Sequence, residues 1–399
     1  MVSEKMYALG AQPSAIRDLY EYGLRKAAEV GEENVYDFTL GNPSIPAPPE
    51  VNLSILQHIT QDPSIAVHGY TPGAGDPKCR AAIADDLNAR FGTEYSLKDI
   101  FITCGAAPAI TATLAALCMD GETNEVIVNA PFFPEYKVFA NNSGAELIIL
   151  PADEEAFQIN FPALEAAISN NTRAVMVNSP NNPCGVAYSE ETIKHLANIL
   201  AKRSAELGHT IYIVCDEPYR ELYFGEGAVP FIPNYYSNTI VCYSYSKSLS
   251  LPGERIGYVL VPPVAADSRN IYLAVAGAAR SMGHVCAPSL MQKMVTDCAT
   301  VRPDIEVYKK NAAYLQEEMS RIGYRTAHPD GAFYFFFKAP FGLTAKEFSD
   351  MARDEYNVLL VPGGTFGCPD WLRLSFCCET EKLERVMPYL EKLYKEAEK

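Results

Sequence analysis

The sequence predicts an α/β fold in which a large, mostly parallel sheet is flanked by helices. Seven short runs are rich in valine and isoleucine and do not alternate with polar residues, which is typical of strands buried on both faces. Helical patterns, for example 75–91, 106–119 and 189–207, lie between several of these runs and indicate the α/β class. The predicted strands are 99–104, 124–130, 145–150, 173–179, 210–216, 238–244 and 256–262.

The C-terminal part of the chain shows a different pattern and predicts a smaller α+β domain. We expect the N-terminal segment, which includes a helix near 13–30, to pack with it. The length of 399 residues also favours two domains. The predicted units are an N-terminal segment 1–48, a large domain 49–295 and a small domain 296–399. The small-domain elements are a helix over 303–322, an aromatic strand 332–338, a helix near 344–355, a strand 357–362, the segment 371–376 and a closing helix from 381.

Composition and charge exclude several classes of function. Hydrophobic residues make up 48% of the chain and charged residues 21%, as in a folded globular protein. The net charge of -16 repels phosphate backbones and anionic lipid, so we expect neither nucleic acid nor a membrane as partner. The 11 cysteines lack metal-ligand or redox spacing, and the N-terminus lacks a signal-peptide pattern. We therefore expect reduced thiols and a cytoplasmic location.

A lysine at the end of a predicted buried strand is the most informative candidate residue. Lys247 follows Ser244 and Ser246, and Arg255 comes shortly after it. A partly deprotonated lysine amine forms an imine with an aldehyde, and hydroxyls with an arginine suit a phosphate dianion. An ordinary surface lysine is the structural alternative. A phosphorylated aldehyde cofactor, pyridoxal phosphate, would use all of these groups.

Other strand ends carry groups that suit the same flat, phosphorylated aromatic ring, and the ends of parallel strands meet at one sheet edge. Small residues after Gly105 open a helix whose free N–H groups could hold an anion. Asp216 could keep a pyridine nitrogen protonated, Phe133 could stack on the ring and Asn182 could donate to a phenolic oxygen. Each of these residues could instead have a structural role in a turn, the core or a helix cap. Such roles do not explain why all of them occur at the same edge of the sheet.

Several motifs follow one another along the chain in a specific order. They are Y-T-P-x-x-G from Tyr70, G-A-A from Gly105, P-F-F-P-E-Y from 131, N-x-P-N-N-P-x-G from 178, D-E-P-Y from Asp216, S-x-S-K ending at Lys247, and Arg373 within L-R-L-S-F. This series resembles the class I/II aminotransferases, which are pyridoxal-phosphate enzymes of fold type I, similar to aspartate aminotransferase. The resemblance covers nearly the whole chain.

The resemblance implies a role for each matching residue. Lys247 would form the internal aldimine and shuttle the proton of the substrate α-carbon, and Asp216 would pair with the pyridine nitrogen. Tyr219 and Asn182 would bond the phenolic oxygen, and Phe133 would stack on the ring. The phosphate would be held by donors near Gly105, Ala106, Ala107, Ser244, Ser246 and Arg255.

The resemblance also implies how substrate and subunits are arranged. Arg373 would bind the substrate α-carboxylate, with the Gly41 backbone closing over it. Tyr70 would reach the phosphate of the neighbouring subunit, which implies a homodimer with shared active sites. The departures from the family pattern are Cys184 in place of a threonine, Phe133 in place of Trp or Tyr, and the hydroxyl-free pair Ala106 and Ala107.

The expected reaction is transamination between an L-amino acid, such as aspartate or another common amino acid, and a 2-oxo acid, for which we expect 2-oxoglutarate. A C–S β-lyase or another α-carbon lyase would use the same residues and stays open. A non-catalytic pyridoxal-phosphate-binding sensor is disfavoured, because no spare basic segment is present for DNA binding. Whether a second cation binds a distal carboxylate also stays open, with Arg280, Lys78, Arg80 and Arg17 as unproven candidates.

Overall fold

The structure, a computed structural model, describes residues 2–11 and 15–398. Its strands are β1 (Tyr36–Asp37), β2 (Ile100–Thr103), β3 (Glu125–Asn129), β4 (Glu146–Leu150), β5 (Thr172–Asn178), β6 (Tyr212–Asp216), β7 (Thr239–Ser244), β8 (Gly257–Leu260), β9 (Tyr334–Lys338), β10 (Val358–Leu359), β11 (Val361–Pro362) and β12 (Trp371–Ser375). Its α-helices are α1 (Glu4–Ala11), α2 (Ala15–Val30), α3 (Pro49–Gln61), α4 (Ser64–His68), α5 (Pro77–Phe91), α6 (Ala106–Leu117), α7 (Tyr136–Asn142), α8 (Phe161–Ala167), α9 (Glu190–Leu207), α10 (Tyr245–Ser248), α11 (Ser268–Ser281), α12 (Ser289–Cys298), α13 (Glu306–Ile322), α14 (Ala345–Tyr356) and α15 (Thr380–Ala397). The predicted start of the first helix at Pro13 lies outside the described residues.

All seven predicted runs form strands of one sheet, in the order β2-β8-β7-β6-β5-β3-β4. Strands β3 to β7 are parallel, whereas β8 is antiparallel to both of its neighbours, β7 and β2. The prediction of a mostly parallel, seven-stranded sheet is therefore confirmed. The carboxyl ends of β2, β5, β6 and β7 lie at the same edge, where the predicted site residues begin.

Residues of the central strands alternate between two hydrophobic clusters, one on each face of the sheet. Ile213 and Val241 belong to one cluster, whereas Val214 and Ile240 belong to the other. The prediction of burial on both faces is wrong for β4, in which Ile149 is 40% exposed. Strand β4 lies at the edge of the sheet, so its side chains are flanked on each face by those of only one neighbouring strand, β3.

Several helix termini follow local capping signals, whereas the start of α6, which matters for the site, has no side-chain cap. The Asp76 side chain accepts a hydrogen bond from the Lys78 amide at the start of α5, and that helix ends at Gly92 in the left-handed region. Ser189 caps α9 through the Thr192 amide. Helix α6 begins after Gly105, which provides no side-chain cap. The first N–H groups of α6 therefore lack an intrahelical partner and are free for other acceptors.

The C-terminal part contains two small sheets and a third hydrophobic cluster. The single strand predicted over 357–362 is wrong, because β10 pairs with β1 whereas β11 pairs with β12. The chain changes partner between these strands. Pairing of β1 with β10 joins the N-terminal segment to this part. The hydrophobic cluster on one face of the large sheet also includes Phe336 and Trp371. Residues of the predicted small domain, 296–399, therefore pack against the large sheet.

Candidate active site

A cavity of about 310 Å³ opens at the sheet edge where the predicted residues gather. Strand register brings them there, because Asn178 of β5 lies beside Asp216 of β6, and Ser244 of β7 lies beside Gly257 of β8. Twelve of the predicted site residues line the cavity, namely Gly41, Ala106, Ala107, Phe133, Asn182, Asp216, Tyr219, Ser244, Ser246, Lys247, Arg255 and Arg373. Gly105 lies next to this lining as the residue before α6.

Lys247 lies in the short helix α10, directly after β7. Its Nζ donates a hydrogen bond to the Gly41 carbonyl oxygen at 2.6 Å. Burial lowers the pKa of the Lys247 amine from 10.5 to about 8, with Cys377 acting in the opposite direction and Arg373 and Arg255 lowering it further. The amine is therefore deprotonated in a far larger fraction of molecules near neutral pH than that of an ordinary lysine.

Asp216 ends β6 with a carboxylate that is only partly satisfied. Its Oδ2 accepts a hydrogen bond from the Tyr136 hydroxyl at 2.5 Å, whereas Oδ1 is buried and has no hydrogen-bond partner among the described residues. Burial raises the pKa of the Asp216 carboxyl from 3.8 to about 7, although the bond from Tyr136 lowers it. A positively charged N–H donor in the cavity would satisfy the free oxygen.

Another part of the cavity lining offers donors for an anion. The Ser244 and Ser246 hydroxyls lie 2.7 Å apart, and both side chains are buried. The free amides of Ala106 and Ala107 start helix α6, and Arg255 lines the same wall. A helix N-terminus, two hydroxyls and a guanidinium together are suited to a phosphate.

Gly105 and Arg255 approach each other closely at this wall. Gly105 has φ 95°, in the region that favours glycine, and a Cβ there would lie 3.0 Å from Nη2 of Arg255. Arg255 also has a positive φ of 52°, and its Nη1 donates to the Pro252 carbonyl oxygen at 3.0 Å. A glycine at position 105 thus leaves room for the guanidinium beside the start of α6.

Arg373 lies in β12 and is 2% exposed. Its Nη1 donates to the Asn182 Oδ1 at 3.0 Å and its Nη2 to the Thr39 carbonyl oxygen at 2.5 Å. Its Nε is buried and has no hydrogen-bond partner in the part of the chain that the structure describes. No carboxylate forms an ion pair with it among residues 2–11 and 15–398. Burial lowers the pKa of the Arg373 guanidinium. A buried cation that lacks a counter-ion is a strong candidate for binding an anionic ligand.

Tyr219 and two residues that the sequence analysis did not assign complete the polar network. The Tyr219 hydroxyl lies 3.0 Å from the hydroxyl of Tyr334, which also lines the cavity. Tyr136 holds Asp216, as described above. Tyr136 was visible at the end of the P-F-F-P-E-Y motif, but Tyr334 lies in an aromatic strand whose sequence indicates only a core.

The remaining predicted residues either line the cavity, as Phe133 does, or lie outside its lining. Phe133 is half-buried at the cavity and makes an edge-to-face contact with Tyr136, with ring centroids 5.6 Å apart. Tyr70 is 94% exposed and does not line the cavity of its own chain. Arg80 is buried and donates to the Leu97 carbonyl oxygen, which indicates a structural role. Among the other candidate cations, Arg17, Lys78 and Arg280 are exposed and outside the cavity lining.

The residues present fit pyridoxal phosphate. The unsatisfied Asp216 Oδ1 suits a protonated ring nitrogen, and the donors around Gly105 suit a phosphate. The deprotonated fraction of Lys247 suits the aldehyde. In the described part of the chain, no group of three or more His, Cys, Asp or Glu side chains could hold a metal ion. No described helix is long and apolar enough to cross a membrane.

Comparisons with solved structures identify the fold. An aminotransferase from Eubacterium rectale superimposes with a TM-score of 0.97 at 52% sequence identity, over 100% of both chains. Aspartate aminotransferase from Thermotoga maritima superimposes with a TM-score of 0.87 at 25% identity, over 99% of this chain and 100% of the other. The molecule therefore has the aspartate aminotransferase fold.

Sequence comparisons identify the family. The model for aminotransferase class I and II matches residues 33–390. A probable N-acetyl-LL-diaminopimelate aminotransferase from Bacillus subtilis is 30% identical over 386 residues, which cover 94% of this chain and 93% of the relative. The chain belongs to the class I and II aminotransferases, and it is an enzyme of amino-group transfer. This family implies pyridoxal phosphate as the cofactor.

Proposed function

We propose that the protein transfers the amino group of an L-amino acid, such as aspartate or another common amino acid, to 2-oxoglutarate, with pyridoxal phosphate held in the cavity at the sheet edge. The observation that carries this proposal is that three ionisable groups line one cavity: the Lys247 amine, the Asp216 carboxyl and the Arg373 guanidinium. Asp216 and Arg373 each keep a buried polar atom that has no hydrogen-bond partner in the described part of the chain. Relatives named aspartate aminotransferase support the substrate class.

Bound pyridoxal phosphate supplies an aldehyde that condenses with amines and a ring that withdraws electrons from the substrate α-carbon. Asp216 would keep the ring nitrogen protonated, and Tyr136 would keep Asp216 oriented. Tyr219 and Asn182 would bond the phenolic oxygen, and Phe133 would stack on the ring. Lys247 Nζ would hold the cofactor and, once released, move the α-carbon proton as a general base.

The phosphate would be bound by Ser244, Ser246, Arg255 and the first amides of α6, with Gly105 keeping that helix start accessible. The substrate α-carboxylate would lie against Arg373, which has the planar geometry for a bidentate contact. The Gly41 segment would close over this position, which is supported by the bonds that the Gly41 oxygen accepts from Lys247 and the Thr39 oxygen accepts from Arg373.

We also propose that the protein is a cytoplasmic homodimer. Each subunit would consist of an N-terminal segment 1–48, a large domain 49–295 and a small domain 296–399. The 94% exposed Tyr70 would reach the phosphate site of the partner subunit. Mixing Lys247→Ala subunits with Tyr70→Ala subunits tests this, because a mixed dimer would contain one complete site. Activity that reappears on mixing supports the shared site, and activity that stays absent contradicts it.

The function is tested by absorption spectroscopy of the purified protein with pyridoxal phosphate and a panel of L-amino acids. We expect a visible band that amino-acid donors remove and 2-oxoglutarate restores, and no such band in Lys247→Ala. Absence of the band in the wild-type protein would refute cofactor binding. Release of pyruvate and ammonia from cystathionine without an oxo acid would identify a lyase instead.

A further inference from the structure

We propose that Tyr334 is a positioning residue, which directs the Tyr219 hydroxyl toward the phenolic oxygen of the cofactor and supports Arg373 through its ring. This inference rests on the proposed function. It concerns a residue that the motifs do not mark, because Tyr334 lies within the aromatic run of β9. The hydroxyl and the ring have separate tasks, and two substitutions distinguish them.

The hydroxyl task follows from the contact between the two tyrosines. Their hydroxyl oxygens lie 3.0 Å apart and both side chains are buried, with exposed fractions of 5% for Tyr219 and 3% for Tyr334. The rings meet edge to face at 80°, with centroids 5.7 Å apart. Two packed rings in this arrangement hold the hydroxyls in one relative orientation.

The direction of this hydrogen bond follows from the donor role proposed for Tyr219. A tyrosine hydroxyl has a single proton to donate. If Tyr219 donates its proton to the phenolic oxygen, the bond between the tyrosines requires Tyr334 as the donor and Tyr219 as the acceptor. A hydroxyl that accepts one hydrogen bond becomes a stronger donor in the next, so Tyr334 strengthens the contact from Tyr219 to the cofactor.

The ring task concerns the substrate side of the cavity. The Tyr334 ring centroid lies 4.7 Å from the Arg373 guanidinium carbon, within cation–π range. The Tyr334 hydroxyl also faces Gly41, so closely that a Cβ on residue 41 would overlap the oxygen. Tyr334 therefore contacts both the residue proposed to hold the α-carboxylate and the segment proposed to cover it.

Tyr334→Phe removes the hydroxyl and keeps the ring. A weaker bond to the phenolic oxygen stabilises its negative charge less. The Lys247 nitrogen, which would lie beside this oxygen when it holds the cofactor, would therefore keep its proton to higher pH. We expect the pH midpoint of the visible absorption of the holoenzyme to rise by about half a unit, with little change in KM. Tyr334→Leu, which also removes the ring, should raise KM for amino acids several-fold in addition.

Tyr324→Phe is the matched control, since it removes another buried hydroxyl, one that donates to the Leu390 carbonyl oxygen outside the cavity. Its pH midpoint should equal that of the wild-type protein. A midpoint that stays unchanged in Tyr334→Phe, while Tyr219→Phe shifts it, would overturn the inference and leave the proposed function intact. Failure of the wild-type protein to develop a visible band would overturn both.

Discussion

The substitution Asp216→Asn in the cofactor-free protein tests the electrostatics of the site without any catalytic measurement. The amide side chain would retain an oxygen for the Tyr136 hydroxyl and remove only the titratable group. In the folded protein the Asp216 pKa is about 7, raised by burial from the ordinary 3.8. A carboxyl with a raised pKa binds its proton more tightly in the folded state, so it destabilises the fold as pH rises.

The pH window follows from these two values. Below the unfolded pKa the carboxyl is protonated in both states and contributes no difference. Between 3.8 and about 7 the unfolded chain releases the proton and the folded chain retains it, so stability falls with rising pH. Above the folded pKa the loss is complete, at about 4 kcal/mol if each pKa unit contributes about 1.4 kcal/mol. Between about pH 5 and about pH 8, the expected loss from Asp216 is roughly 2–3 kcal/mol.

The assay is denaturant unfolding of the wild-type and Asp216→Asn proteins without cofactor, at about pH 5 and about pH 8. Other titratable groups affect both proteins equally, so the quantity of interest is the difference between their pH dependences. We expect the variant to gain roughly 2–3 kcal/mol relative to wild type at the higher pH. Parallel pH dependences would refute the conclusion that Asp216 lies in the protein as an under-solvated carboxylate.

The remaining predictions concern three residues of the cavity. The rate at which cofactor-free protein captures pyridoxal phosphate should rise with pH around a midpoint of about 8, and a midpoint near 10.5 would refute a buried Lys247 amine. Arg373→Ala should lower kcat/KM for amino acids, with a loss of transition-state stabilisation of about 2–5 kcal/mol and a strong rise in KM. An unchanged KM would contradict a role of Arg373 in carboxylate binding. Gly41→Ala places a Cβ far inside van der Waals contact with the Tyr334 hydroxyl and should displace the covering segment. Steady-state kinetics should then show a loss of roughly 100-fold in kcat/KM, whereas wild-type kinetics would contradict the close approach.

The strands of the large sheet could be predicted because the residues that form them are also the buried ones, and they stand in the sequence as short apolar runs. Runs such as 210–216 are largely apolar and do not alternate with polar residues, which is typical of strands whose two faces are both buried. The exposed side of β4 was not predictable from the run itself, because the position of a strand within the sheet is a tertiary property. The division of 357–362 into β10 and β11 has the same origin, since two different partner strands determine it.

The candidate site divides in a similar way. Lys247, Asp216 and Asn182 follow strands within short motifs, so sequence order places them at one edge once the sheet is parallel. The contact between Tyr219 and Tyr334 joins residues far apart in sequence and depends on how β9 packs. The bond from Arg373 to the Thr39 carbonyl oxygen had no sequence signal either, because every residue has a backbone carbonyl.

The charges of the site link stability to ligand binding. Lys247, Arg255 and Arg373 line one cavity in a chain whose net charge is -16, and the Asp216 carboxylate lies among them. Two buried polar atoms there, Asp216 Oδ1 and Arg373 Nε, have no hydrogen-bond partner among the described residues. Such atoms destabilise the fold on their own. In the proposed complex, a protonated ring nitrogen and an α-carboxylate would provide the opposite charges at these two positions. The atoms that cost stability in the free protein would then be those that the bound ligands satisfy.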